Sequence, residues 1–377
     1  MSSRYHSKKT SSILNKENEG GPLNIIKKIQ GNPQVQPLKK EMVIFGEKKP
    51  SLKPAKSLVV VETRQSADKG SMSVEPMKPS EELKKEERRK DSIRFRRAET
   101  DRVMATYSKA WISEMKSKEL RSWPKNFLDN HKISASVRAK MIDWMIEVLC
   151  SYKCTDMTFF IASNYMDTYF ARTDVKHELN DLHLIGVASM YVATKYEEIS
   201  PLRIGVMQSK ISHGKFTKEE IKGKETDILA ALNFECSPVT ILNFIEVGLE
   251  SLKLRDVLAE NLYTHLTKLS VYIAKMIMHE YELLSKYNIS EFAVACIYIG
   301  LKIVQQIEPS FKIDTYAYKL RMLFDISENV FFECSQNCLD LAKTFETKYP
   351  SLTNLSKFHS FNVDGPNQAQ ECSADNL

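Results

Sequence analysis

From about Thr100 onward the apolar positions recur at helical spacing, and β-type alternation is absent. An amphipathic helix is predicted near 99–118, with Val103, Met104, Tyr107, Trp111 and Met115 as its apolar positions. Five helices follow near 135–152, 155–171, 179–197, 202–212 and 217–232. Pro201 stops the third of these after KYEEIS, and Thr217 with Glu220 has capping-box spacing at the start of the fifth. A break at Asn233–Pro238 precedes a second series near 238–250, 256–279, 290–305, 313–324 and 327–348. The series repeat helix order and length with little residue identity, so the expected fold class is all-α.

Charges interrupt this pattern. In VRAKMIDWMIEVL, residues 137–149, the apolar arc covers more than half the circumference, and Arg138 falls inside it. Lys140, Asp143 and Glu147 share the narrow polar face, and so apolar a helix is expected at the buried centre of its domain. An arginine there needs a carboxylate partner. The stripe Leu184, Ala188, Tyr191 is continued by Lys195; the stripe Ile221, Ile228, Leu232 is interrupted by Glu225; Asp167 has the angular position of Phe160. Singly, such charges snorkel from helix ends. Four in consecutive helices suggest an internal ion pair and a charged pair reserved for a partner.

Charge divides the chain in two. Residues 1–98 hold 23 Lys and Arg against 12 Asp and Glu, leaving 31 against 36 for residues 99–377. Seven of the 13 prolines but only three aromatics, Tyr5, Phe45 and Phe95, lie in 1–98, a composition read as a disordered basic tail. The seven cysteines have no zinc or disulfide spacing; the CxxxC pairs Cys150/Cys154 and Cys334/Cys338 read as reduced helical residues. With no signal peptide and no apolar run of about 18 residues, an intracellular soluble protein is expected. No catalytic constellation stands out: His279-Glu280 lacks the second histidine of HExxH, there is no Gly-rich phosphate loop, and the histidines are scattered. No enzyme activity, cofactor or metal is expected.

RAKMIDWMIEV, NYMDTYF and ASMYVATKYEEISP together resemble the cyclin box of A- and B-type mitotic cyclins. The resemblance covers roughly residues 100–350 and implies two tandem five-helix cyclin folds behind an N-terminal helix and the basic tail. The implied boundaries are 1–98 for the tail, 99–133 for the N-terminal helix and linker, 134–236 for the cyclin box, 237–350 for a second cyclin fold and 351–377 for a flexible C-terminal tail. It implies a structural ion pair, Arg138 with Asp167. It implies binding and activation of a cyclin-dependent serine/threonine kinase at G2/M through Lys195, Glu225, Leu184, Tyr196, Glu197, Leu229 and Phe234.

For Val137, Met141 and Trp144 two readings stand: core packing, or, with Glu147 and His183, the patch that docks basic-x-leucine motifs of substrates and inhibitors. Val137, Lys140 and His183 depart from the family's usual residues, and a cationic Lys140 is expected to repel basic motifs. Lys16-Glu17-Asn18 resembles a KEN degron read by the anaphase-promoting complex, whereas no RxxL box occurs in residues 1–98. The run KKEERRKDSIRFRR, residues 84–97, suits nuclear import or a solvated charge run equally. The expected location is nucleus and cytoplasm. The alternative is a TFIIB-like cyclin-fold transcription factor, but a nucleic-acid binder should carry its basic patch on the repeats, which here are net acidic. No membrane or direct nucleic-acid partner is expected.

Overall fold

The computed structural model describes residues 107–120 and 123–358. Helix α1 (107–120) precedes a first group: α2 (Ala135–Ser151), α3 (Asp156–Arg172), α4 (Leu179–Glu197), the three-residue α5 (Ile204–Val206) and α6 (Lys218–Ala231). A second group contains α7 (Ile241–Ser251), α8 (Glu260–Ile277), α9 (Tyr281–Lys286), α10 (Ile289–Ile307), α11 (Ile313–Phe324) and α12 (Glu328–Lys348), and α13 (Asn354–Phe358) follows. There is no strand among the described residues. The starts are set locally. Ser134 and Thr155 accept from backbone N–H groups at α2 and α3, while Thr217/Glu220, Thr240/Asn243 and Asn288/Glu291 close capping boxes at α6, α7 and α10.

The centre of the first group is α3, not α2. From Thr158 to Phe170 it is buried without a break, packed against α2, α4 and α6. Its buried Ser163, Asn164, Asp167 and Thr168 disguise it as an ordinary amphipathic helix. In contrast, α2 keeps Val137, Met141 and Trp144 half-exposed along one edge. In the second group α10 is central, packed against α7, α8, α11 and α12. It is long and apolar enough to cross a membrane by length and composition alone, although Glu291 and Lys302 bound its uninterrupted apolar run. Its residues Phe292–Leu301 are nonetheless all buried inside the protein. A Cβ at Gly300 would sit 2.5 Å from a Leu266 methyl, so any larger residue there would have to displace that side chain where α8 meets α10.

The helix expected at 202–212 is only α5, continued by a π-helical turn at Met207–Ile211. Ser209 and Ser212 donate back to the Gly205 and Gln208 carbonyls, which loosens the ladder. His213 and Gly214, both at positive φ, then end the segment.

Of the apolar positions predicted for helix α1, Met115 faces inward but Tyr107 and Trp111 do not. Ile112, Met115 and Glu119 are buried, whereas Tyr107 and Trp111 are exposed and stacked on each other. The difference is electrostatic. Glu119 accepts from the backbone N–H and hydroxyl of Ser290 at the N-terminus of α10, and Lys116 donates to the Phe324 carbonyl at the C-terminus of α11. Each charge meets the helix end that its sign complements. Burial pushes the Glu119 carboxyl above the usual carboxylate range, against the pull of these bonds.

Two elements at the C-terminal side were not anticipated. One is the short α9. The other is α13, which lies within the stretch expected to be a flexible tail and instead packs on α2. Asp143, expected on a solvated face, is 4% exposed because α13 covers it. Its carboxylate accepts from the backbone N–H groups of Asn354 and Leu355 at 3.3 and 3.2 Å.

Candidate partner-binding site

Arg138 has no exposed side-chain surface, and neither has Asp167. The guanidinium donates through Nε to Oδ1 at 2.8 Å and through Nη2 to Oδ2 at 2.6 Å, the bidentate geometry that suits arginine. Its third contact is not foreshadowed by the sequence pattern: Nη1 donates to the Met278 carbonyl at 2.7 Å, at the C-terminus of α8. The face of Phe127 lies 5.1 Å from Cζ. Enclosure pushes the Asp167 carboxyl up while the guanidinium pulls it down. One residue therefore joins α2, α3 and the second helical group. A second junction is Lys275, 1% exposed, whose Nζ lies 2.5 Å from Asp156 at the start of α3.

Lys195, which continues one stripe, and Glu225, which interrupts another, form an ion pair between α4 and α6. The lysine Nζ also stands 4.3 Å from the Tyr191 ring centroid. Partial burial and the neighbouring Lys222 hold Lys195 below the usual lysine range. Leu229 lies half-buried one turn beyond Glu225. Tyr196 is 47%, Ile199 fully and Phe234 71% exposed. Phe234 and its neighbour Asn233 both adopt positive φ, a costly conformation for an aromatic residue that gains nothing from burial. The Tyr165 hydroxyl fixes this linker by donating to the Cys236 carbonyl at 2.6 Å, and its phenol is raised by burial and by nearby Cys236, Tyr196 and Glu197. Glu197 is exposed, and its carboxyl is raised by burial and by Glu198. Leu184 shares the face of Lys195 but lies three turns earlier on α4, about 16 Å away by helical rise.

The α2 edge is a second surface. Val137, Met141 and Trp144 pack partly on the core, and the Trp144 ring meets His183 edge-on at 5.1 Å, which in turn meets Phe216. Met141 lies so close to α4 that a Cβ at Gly186 would stand 2.5 Å from its sulfur. Glu147 accepts from the Asn354 side chain at 3.1 Å. Lys140 is exposed beside them. Burial, then Lys215 and His213, hold His183 below the usual histidine range.

Lys16, Glu17 and Asn18 lie outside the described residues. His279 and Glu280 are both buried, with Glu280 paired to Lys348 and accepting from Tyr349. Sequence reasoning missed the exposed Ile199 and the exposed pair Tyr107 and Trp111. A single apolar residue on a polar turn, or a helix with two apolar faces, is the signal that would have found them. It also missed Glu198, which accepts from the Thr155 N–H and the Thr158 hydroxyl to anchor the end of α4 at the start of α3.

These features define an all-helical module in two groups, with ion-paired and aromatic side chains presented at the surface around the linker. Residues 110–237 match the family described as "Cyclin, N-terminal domain". The chain is similar to cyclin-A1-4 of Oryza sativa subsp. japonica, at 32% identity over 47% of this chain and 48% of that protein. It is also similar to G2/mitotic-specific cyclin-B1 of Xenopus laevis, at 28% identity over 48% of this chain and 42% of that protein. The matched stretch thus spans less than half the length of each. A viral cyclin from herpesvirus saimiri shares the fold with a TM-score of 0.50 at 19% identity, over 65% of this chain and 98% of that one. Residues 110–237 therefore carry the N-terminal domain of the cyclin family.

Proposed function

We propose that this protein is the regulatory subunit of a cyclin-dependent serine/threonine kinase, with no catalytic activity of its own. The carrying observation is the Lys195–Glu225 pair, set among exposed Tyr196, Ile199 and Phe234 within a cyclin N-terminal domain. Apolar surface around a charged pair is suited to burying a partner helix and bonding its polar ends. The subunit acts by population shift: it binds the active position of the kinase C-helix better than the inactive one, and the difference holds the kinase active. Leu184, Glu197 and Leu229 extend that surface. Similarity to proteins named as A-type and G2/mitotic-specific cyclins supports action in G2/M.

Further parts of the reading are substrate docking at Val137, Met141, Trp144, Glu147 and His183, and turnover through the anaphase-promoting complex at Lys16-Glu17-Asn18. We place the protein in nucleus and cytoplasm. In the decisive experiment, Lys195→Ala with Glu225→Ala is compared with the parent for co-purification and activation of a cyclin-dependent kinase. Lost activation at unchanged circular dichroism and melting is expected. Retained binding and full activation would move the interface elsewhere.

A further inference from the structure

Charge sets the α2 edge apart from a groove built to receive basic motifs. Trp144, His183 and Phe216 form a chain of edge-on rings, with 5.1 Å between the centroids of each neighbouring pair. One exposed lysine stands at each end of that chain. Lys140 lies one turn before Trp144 on the same face of α2. Lys215 lies at the other end, its Nζ 5.5 Å from the Phe216 ring centroid. The turn after the π-helical segment fixes its backbone: Gly214, at positive φ, donates to the Gln208 carbonyl at 2.8 Å, and the Lys215 N–H donates to the Ser212 carbonyl at 2.9 Å. Among the described residues neither lysine forms an ion pair. The side chains whose charge bears on His183 are Lys215 and His213, both basic. Both carboxylates of α2, in contrast, are bonded to α13. Asp143 accepts from two of its backbone N–H groups, and Glu147 accepts from the Asn354 side chain at 3.1 Å.

We propose that the α2 edge docks partner segments that place an acidic residue beside apolar ones, with Lys140 and Lys215 setting the charge preference. The proposal rests on the reading of this edge as a docking surface and reverses the charge of the motif it takes. Half-exposed Met141 and Trp144 offer apolar surface for the apolar residues of such a segment. The two cations attract a carboxylate that comes within about 8 Å, the screening length at physiological salt, and repel a guanidinium there. The acids that would receive a basic residue are turned to α13 instead. Lys140 alone would only weaken basic motifs; a second cation across the rings, with Glu147 already bonded, selects for acidic ones.

The test is titration calorimetry of the full chain with one short peptide in three forms, its two leucines preceded by two glutamates, two glutamines or two arginines. The glutamate form should bind about fivefold more tightly than the glutamine form, and the arginine form more weakly than either, with the spread narrowing as salt rises. Lys140→Gln with Lys215→Gln, both at exposed positions, should bring the three affinities together at an unchanged melting temperature. Trp144→Ala, read together with its circular dichroism, should weaken all three forms and reports on the docking surface itself. Equal affinities in the parent that all fall in Trp144→Ala would keep the docking surface and overturn the charge preference. No binding of any form, or affinities indifferent to Trp144→Ala, would overturn both. Tighter binding of the arginine form, or a glutamate preference that survives in the double lysine variant, would also overturn the proposal.

Discussion

Replacing Arg138 by alanine is the most incisive perturbation of this fold. The substitution removes two charge-assisted bonds to Asp167, at 2.8 and 2.6 Å, and a third to the Met278 carbonyl at 2.7 Å. Since both members of the pair are fully buried, the Asp167 carboxylate would be left without a counter-charge or access to water. Breaking a buried pair on one side costs roughly 3–5 kcal/mol. The orphaned Met278 carbonyl adds about 1–3 kcal/mol. The terms overlap, and about 3 kcal/mol is the minimum expected, against a total stability of roughly 5–15 kcal/mol. For a body of this size that lowers Tm by on the order of 6–12 °C, or unfolds the first helical group outright. Denaturant titration followed by circular dichroism measures the loss. The companion variant Arg138→Met with Asp167→Leu removes both charges and leaves only the Met278 carbonyl unsatisfied, so it should be clearly more stable than Arg138→Ala. The reasoning is refuted if Arg138→Ala melts within about 1 kcal/mol of the parent, or if the double variant is no better than the single one.

Three further outcomes are expected. Glu119→Ala leaves the Ser290 N–H and hydroxyl without acceptors and should destabilise by about 1–3 kcal/mol; hydrogen exchange should speed up at the start of α10, and unaltered protection there would count against the staple. Leu355→Ala, at a 1% exposed position on α13, should cost about 2–5 kcal/mol and expose Asp143 to solvent, checked by denaturation; a neutral result would mean that α13 contributes nothing. Burial holds His177 and His183 below the usual histidine range, so on acidification the unfolded chain takes up protons first. Their contribution is therefore complete above about pH 6.5 and is lost as the pH falls from there through the folded values. The stability difference between the parent and a His177→Gln, His183→Gln variant should shrink over that interval; a difference that does not change with pH would sink the claim.

By itself the sequence determined the helical class, most helix ends and the four charges that do not fit their faces. These are local consequences: 3.6-residue periodicity, side chains that cap the turn beside them, and proline's missing N–H act within a few residues. Tertiary structure decided what the misplaced charges meet beyond their own neighbourhood. Arg138 reaches a carbonyl 140 residues away, and Lys116 reaches one 208 residues away. No periodicity encodes such pairs, because a free carbonyl exists only where another helix ends. The same limit explains the errors. Asp143 reads as solvated because α13, which covers it, is too short to show a period. Meanwhile α2 reads as the centre because buried Ser163, Asn164, Asp167 and Thr168 interrupt the apolar pattern of α3. The face that α1 turns inward was settled by the ends of α10 and α11, and Phe234 took its exposed, left-handed position from the turn that closes α6. Periodicity ranks positions by what water disfavours; which neighbour replaces the water is fixed only when distant segments pack.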